Sequence, residues 1–285
     1  MVLMPDMNRT HLYASSLITT TFVDSYGAIG GTKTGTTFMV SGVDGEDFYF
    51  VTNRHVVDYN YGLDDPADAV PGAKLKSIRI SGHYQPDDLN AAPQWWQAES
   101  SGPSFVFAEP DEVDLAILKV ELGVPGGLHV RAERPENGWT LNHVEIGMFA
   151  TESELNSVQP GDAIRIAGYP GVGDIDLVRP LLVSGIVSSD PRYPATFRDL
   201  VLPHSVFCHS FSWGGMSGAP VFGYSDSIGT GKILGINAGH IADDGVSGGV
   251  ISHFVRSDTV LELFARMSEP RSVDENTDPS PSPGS

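Results

Sequence analysis

Three short segments of the 285-residue chain hold residue types that can act together. GGMSGAPVF, residues 214 to 222, places Ser217 among Gly214, Gly215, Gly218 and Pro220, where the backbone can bend sharply. YFVTNRHVVD, residues 49 to 58, ends an apolar run and carries His55 in what should be a tight turn. EVDLAILKV, residues 112 to 120, opens a strand at Asp114. A serine hydroxyl is a poor nucleophile at neutral pH and needs a base, for which histidine has a suitable pKa. The imidazole needs an acceptor at its other nitrogen to fix the tautomer and stabilise its charged form. His55, Asp114 and Ser217 are a minimal set for acyl transfer. A sharp turn at Ser217 could also aim the N–H groups of Gly215 and Ser217 at one point, where the oxyanion of a tetrahedral intermediate would sit. The order His, Asp, Ser differs from that of the α/β-hydrolases, whose G-x-S-x-G elbow would need glycine where Ala219 stands.

The elements that must position these residues are strands. Short runs rich in Val, Ile, Thr and Phe, such as LITTTFV, TTFMV, FYFVT, LAILKV, AIRIAGY, LLVSGIV and KILGI, alternate with turn residues, including 32 glycines and 20 prolines. This pattern predicts an all-β sandwich or barrel. The long polar stretch 58–104 reads as loops around the short strand-like run KSIRI, with Trp95 and Trp96 as packing residues, and 124–157 reads as a connector between halves. One helix is expected near the end. In SDTVLELFARM the residues Val260, Leu263, Phe264 and Met267 form an apolar stripe, and Thr259 with Glu262 fits a capping box. Beyond it, residues 268–285 are rich in Pro, Ser and acids and read as a disordered tail.

Taken together, the segments resemble the trypsin-like serine peptidases of the chymotrypsin fold, in their HtrA-type and glutamyl-endopeptidase-like branch, over roughly residues 12 to 267. VTNRHVV resembles the histidine motif, DLAILKV the aspartate motif and GGMSGAPVF the nucleophile motif; LLVSGIVSS and ILGINAG resemble strands of the second barrel. The resemblance implies two six-stranded antiparallel β-barrels with a C-terminal helix. It divides the chain into an extension (1–11), a first barrel with His55 and Asp114 (12–123), the connector (124–157), a second barrel with Ser217 (158–256), the helix (257–267) and the tail. The implied activity is serine endopeptidase cleavage of protein or peptide substrates, with no cofactor and no metal. A catalytically idle protease-like binding domain is the alternative.

Met216 stands where secreted digestive members carry an aspartate, and no I-V-G-G-like start is seen. Control by N-terminal cleavage is therefore not expected; activity is constitutive, or switched by loops or a partner. No PDZ-like module follows the catalytic region. By resemblance the substrate pocket involves Phe211, Ser212, Asn237, Ala238, Gly239 and His240. No acid occurs among these six, so the expected preference is for a small or medium uncharged residue on the acyl side of the cleaved bond.

Net charge of −19 makes nucleic acid and anionic membranes poor partners. The single cysteine, Cys208, rules out an intrachain disulfide and reads as a small apolar side chain. Its flanking His204 and His209 fit no zinc spacing. MVLMPDMNRTHLY lacks a basic region followed by an apolar core, so no secretory leader is read there, and the expected address is cytoplasmic.

Overall fold

The computed structural model describes residues 7–268 apart from 28, 64, 85–92, 123, 125–126, 133–141, 172–178, 198–199, 226–228 and 242–250. The tail beyond 268 and the start of the expected N-terminal extension lie outside the described residues.

A short helix, α1 (Met7–Ala14), leads into the strands of the first half. These are β1 (Ser15–Val23), β2 (Ile29–Ser41), β3 (Phe48–Thr52), β4 (Lys74–Tyr84), β5 (Gln94–Ser101), β6 (Val106–Phe107), β7 (Ala116–Lys119), β8 (His129–Ala132) and β9 (Val144–Glu145). A four-residue helix, α2 (Arg54–Val57), follows β3, and α3 (Glu152–Leu155) precedes the second half. That half comprises β10 (Ala163–Gly168), β11 (Leu181–Val187), β12 (Ala195–Phe197), β13 (Leu200–Leu202), β14 (Ser205–Ser210), β15 (Pro220–Ser225), β16 (Gly229–His240) and β17 (Ile251–Arg256). The final helix, α4, spans Ser257–Ser268.

The second half forms a closed six-stranded barrel, β10-β11-β14-β17-β16-β15. The first half differs from expectation. Its nine strands form a sheet in the order β6-β7-β3-β2-β1-β4-β5-β8, with β9 paired to β2, and among the described residues the ends of this path are not joined. Within the stretch 58–104, otherwise read as loops, the run KSIRI is strand-like as expected and lies in β4; β5 is not expected there, nor are β8 and β9 in the connector. The reason is visible in β5, QWWQAESS. Trp96, Ala98 and Ser100 point inward while Trp95 is 43% exposed among Gln and Glu, so the apolar alternation is too thin to show.

Three apolar clusters hold the molecule together. Ile18, Phe50, Ile80, Trp96 and Leu118 fill the first sheet, and Ile166, Val206, Cys208, Val221 and Phe254 fill the barrel. The third joins the halves: Phe38, Val51 and Leu115 meet Phe222, Ile236 and Val255, and the α4 stripe Val260, Leu263 and Phe264 closes over them. The stripe docks as its period predicts, but the expected capping box is not the cap. Thr259 is buried within α4, and its N–H is held by the Asp258 carboxylate at 3.0 Å.

His11 helps fasten helix α1 to the barrel. The fully buried His11 ring stacks on Phe222 at 4.0 Å, and its Nδ1 lies 2.8 Å from the Tyr224 hydroxyl. Burial, with the Arg165 charge adding to it, pushes the imidazole down to about 4. The unfolded chain therefore binds a proton that the folded chain refuses. Stability is full above about pH 6.5 and falls as pH drops towards 4, by up to about 3 kcal/mol. In urea titrations at several pH values, His11→Phe is expected to lose less stability than wild type across that window; equal slopes would refute the assignment.

Candidate active site

The apolar strand β3 delivers Thr52 and Asn53 to the start of α2, on which His55 sits. Asn53 stands at the N-cap position but makes no cap hydrogen bond; its Nδ2 instead donates to the Asp114 carbonyl at 2.7 Å. Arg54 reinforces the same join, bonding Asp58 and Asp111, both at 3.1 Å, and lying over the Tyr61 and Phe107 rings. The two segments meet at the Asp114 carboxylate. One oxygen accepts the His55 backbone N–H at 2.9 Å and the other lies 2.6 Å from His55 Nδ1. With that nitrogen donating, the basic lone pair is left at Nε2.

Strand β2 touches both the serine turn and helix α2. The Thr36 N–H donates to the Ser217 carbonyl at 2.7 Å. A Cβ on the neighbouring Gly35 would meet Val56, the residue after His55, at 2.8 Å and the Ser217 carbonyl at 3.1 Å. Among the described hydrogen bonds, none joins the Ser217 hydroxyl to His55.

The turn itself is fixed from both halves. Gly215 and Gly218 have φ of +93° and +91°, values that side chains disfavour. The Thr36 hydroxyl, fully buried, donates to the Gly215 carbonyl at 2.8 Å and accepts the Tyr169 N–H at 2.9 Å. The Gly214 carbonyl accepts the Gly171 N–H at 2.6 Å. Because carbonyl and N–H of one trans peptide point oppositely, this turns the Gly215 N–H away from Gly171. The Met216 carbonyl is likewise held, at 3.0 Å, by Asn237 Nδ2, which orients the Ser217 N–H. Neither N–H donates to another group among the described residues. Met216 is fully buried in the barrel core, so an apolar contact occupies the position where the resemblance has an acid.

Of the six expected pocket residues, Ser212 and Asn237 are joined by a hydrogen bond of 3.1 Å and buried, and the Asn237 Oδ1 has no partner among the described residues. Phe211 is exposed and packs on the exposed Trp213, ring centroids 3.9 Å apart. Ala238 belongs to the cluster between the halves, Gly239 is half-buried and His240 is exposed. Cys208 is buried in the barrel, which pushes its thiol up to about 12, whereas His209 beside it is exposed. No group of metal-ligating side chains occurs among the described residues.

Two residues escaped the sequence reading. His253, on β17, pairs with Gly239 and is half-buried, with its Nδ1 lacking a partner among the described residues. Burial pushes it down to about 4; Asp114 opposes that shift, while His55 and His240 add to it. The only signal was a histidine inside the apolar run ISHFV. Lys33, on β2, bonds the carbonyl of His55 itself; nothing local in GGTKTGT marks it.

Residues 35–236, more than half of the chain, match the trypsin-like peptidase domain, and the chain belongs to that family. The HtrA-type protease AlgW, solved with a decapeptide, is similar at a TM-score of 0.50 and 16% identity, over 92% of this chain and 66% of that one, just under two thirds of its length. Deg5 is similar at 0.49 and 17%, over 90% of both chains, and the Rv3671c protease of M. tuberculosis, in its active form, at 0.49 and 16%, over 94% and 88%. Identities this low are a likeness of fold: mostly β, chymotrypsin-like, with one closed barrel, one open sheet and a C-terminal helix. A sequence search against curated proteins finds no match. Among the described residues no helix is long and apolar enough to cross a membrane.

Proposed function

We propose that the chain is a serine endopeptidase in which His55, Asp114 and Ser217 form the catalytic triad. Ser217 Oγ attacks the carbonyl carbon of a peptide bond while His55 Nε2 takes its proton. The carbonyl electrons move onto oxygen, which the Gly215 and Ser217 N–H groups hold. His55 returns the proton to the leaving nitrogen, the C–N bond breaks and an acyl-enzyme remains. Water, deprotonated by the same nitrogen, attacks it and regenerates Ser217. The observation carrying this reading is the double grip of the Asp114 carboxylate on His55, through Nδ1 and the backbone N–H at once. It sets the tautomer and ring position of His55, and in the serine turn the Gly215 and Ser217 N–H groups have no acceptor among the described residues.

The pocket assigned to Phe211, Ser212, Asn237, Ala238, Gly239 and His240 contains no acid and suits an uncharged substrate side chain. Apolar slots of this kind discriminate by only about 1–3 kcal/mol per methylene. With Met216 in the core, no buried acid awaits a new N-terminal ammonium, so activity is constitutive or set by a loop or partner. A fluorophosphonate probe tests the reading. Wild type is expected to be labelled at Ser217, located by peptide mapping, and Ser217→Ala to stay unlabelled. Wild type that resists labelling would overturn it.

A further inference from the structure

Helix α2 is one turn long, so no further turn exists to bond its last carbonyls. Three of its four carbonyls, and the two that follow, have partners among the described residues. The Asp58 N–H bonds the Arg54 carbonyl at 2.8 Å, and the Thr20 hydroxyl bonds that of Val56 at 2.9 Å. The Lys33 ammonium takes three more: His55 at 2.9 Å, Asp58 at 3.2 Å and Tyr59 at 2.9 Å. An ammonium has three donors, so this grip is saturated. The Tyr59 ring, 5.2 Å from Nζ, and the Phe22 ring, 5.9 Å away, cover the charge, and a cation at a helix C-terminus is favourable in itself.

The placement of Lys33 along β2 gives the grip its meaning. Three residues on, Thr36 bonds the Ser217 carbonyl, the Gly215 carbonyl and the Tyr169 N–H. One short stretch of strand therefore holds the histidine turn at one end and the serine turn at the other. We propose that Lys33 is a positioning residue that registers the His55 main chain against the Ser217 turn and adds a positive charge near the Asp114–His55 pair. This rests on the reading of His55 and Ser217 as catalytic.

The charge has named neighbours. Burial holds the Lys33 ammonium below its ordinary value, and Asp58 and Asp114 oppose that shift. His253 also faces the Asp114–His55 pair, and Arg54 lies on α2 beside His55 with Asp58 and Asp111 as its partners.

The test is kcat and KM on a peptide substrate and the rate of fluorophosphonate labelling of Ser217 for wild type, Lys33→Met and Lys33→Arg, with folding followed by circular dichroism. Lys33→Met is expected to lose about 10²-fold in kcat and in labelling rate, the scale of a misplaced catalytic group, with KM nearly unchanged. Lys33→Arg keeps the charge and the donors and is expected to recover much of kcat. Wild-type kcat in Lys33→Met would overturn the proposal. If that variant does not fold, a folded Lys33→Arg that has lost as much as about 10²-fold in kcat would do so. Wild type that resists the fluorophosphonate sinks the peptidase reading instead.

Discussion

Asp114→Asn is expected, on the proposed reading, to lower kcat by about 10⁴ while leaving the fold in place. The asparagine Oδ1 can still accept the His55 backbone N–H, the contact of 2.9 Å that fixes the turn. Its Nδ2, however, is a donor and faces Nδ1 where a carboxylate oxygen stood 2.6 Å away. The imidazole answers by carrying its proton on Nε2, and the nitrogen meant to accept the Ser217 proton then has none to accept with. Loss of the carboxylate also removes the charge that stabilises the imidazolium. Turnover and the rate of fluorophosphonate labelling are expected to fall together, with the NMR tautomer switched. Turnover within tenfold of wild type would show that Asp114 is not the orienting acid.

Gly218→Ala is expected to be the most damaging single methyl. At φ of +91° an alanine is strained in any surroundings. Here its Cβ would also fall well inside contact distance of the Thr36 carbonyl oxygen and Thr52 Oγ1, which are themselves hydrogen-bonded to each other at 2.8 Å. Neither can retreat, because Thr36 holds the serine turn and Thr52 leads into α2. Strain and overpacking together cost about 3–5 kcal/mol, a fall in Tm of about 10 °C for a domain of this size, with labelling of Ser217 lost in whatever still folds. Gly45 supplies the control. Its φ is +72°, but a Cβ there meets nothing within 4 Å, so Gly45→Ala is expected to cost about 1 kcal/mol from strain alone. Equal losses at the two positions would show that the seat against β2 and β3 matters little.

What could be read from residues alone was whatever chemistry demands locally. Ser217 stood out in the sequence because its turn needs glycines on both sides, and His55 and Asp114 because each sits at the edge of an apolar run; their joint role is the proposal made above. The α4 stripe was legible for the same reason: one face, one period, one core. Lys33 and Thr36 were not, since their value lies in carbonyls about 20 and 180 positions away, and no local pattern distinguishes them from other polar residues on a hairpin. Strand β5 was hidden by an outward tryptophan and polar neighbours. The openness of the first sheet is likewise a matter of pairing between distant segments.

The threonine bridge between the halves has a bearing on the order of events at birth. Strand β2 leaves the ribosome long before the serine turn, and the turn takes its shape from a hydroxyl, an amide and a carbonyl on that strand. A newly made second half, alone, lacks this template, and so does a first half that has lost its mate. On the proposed reading, cutting power arises only when both have closed on each other, so the protein stays harmless to its own growing chain until assembly is complete.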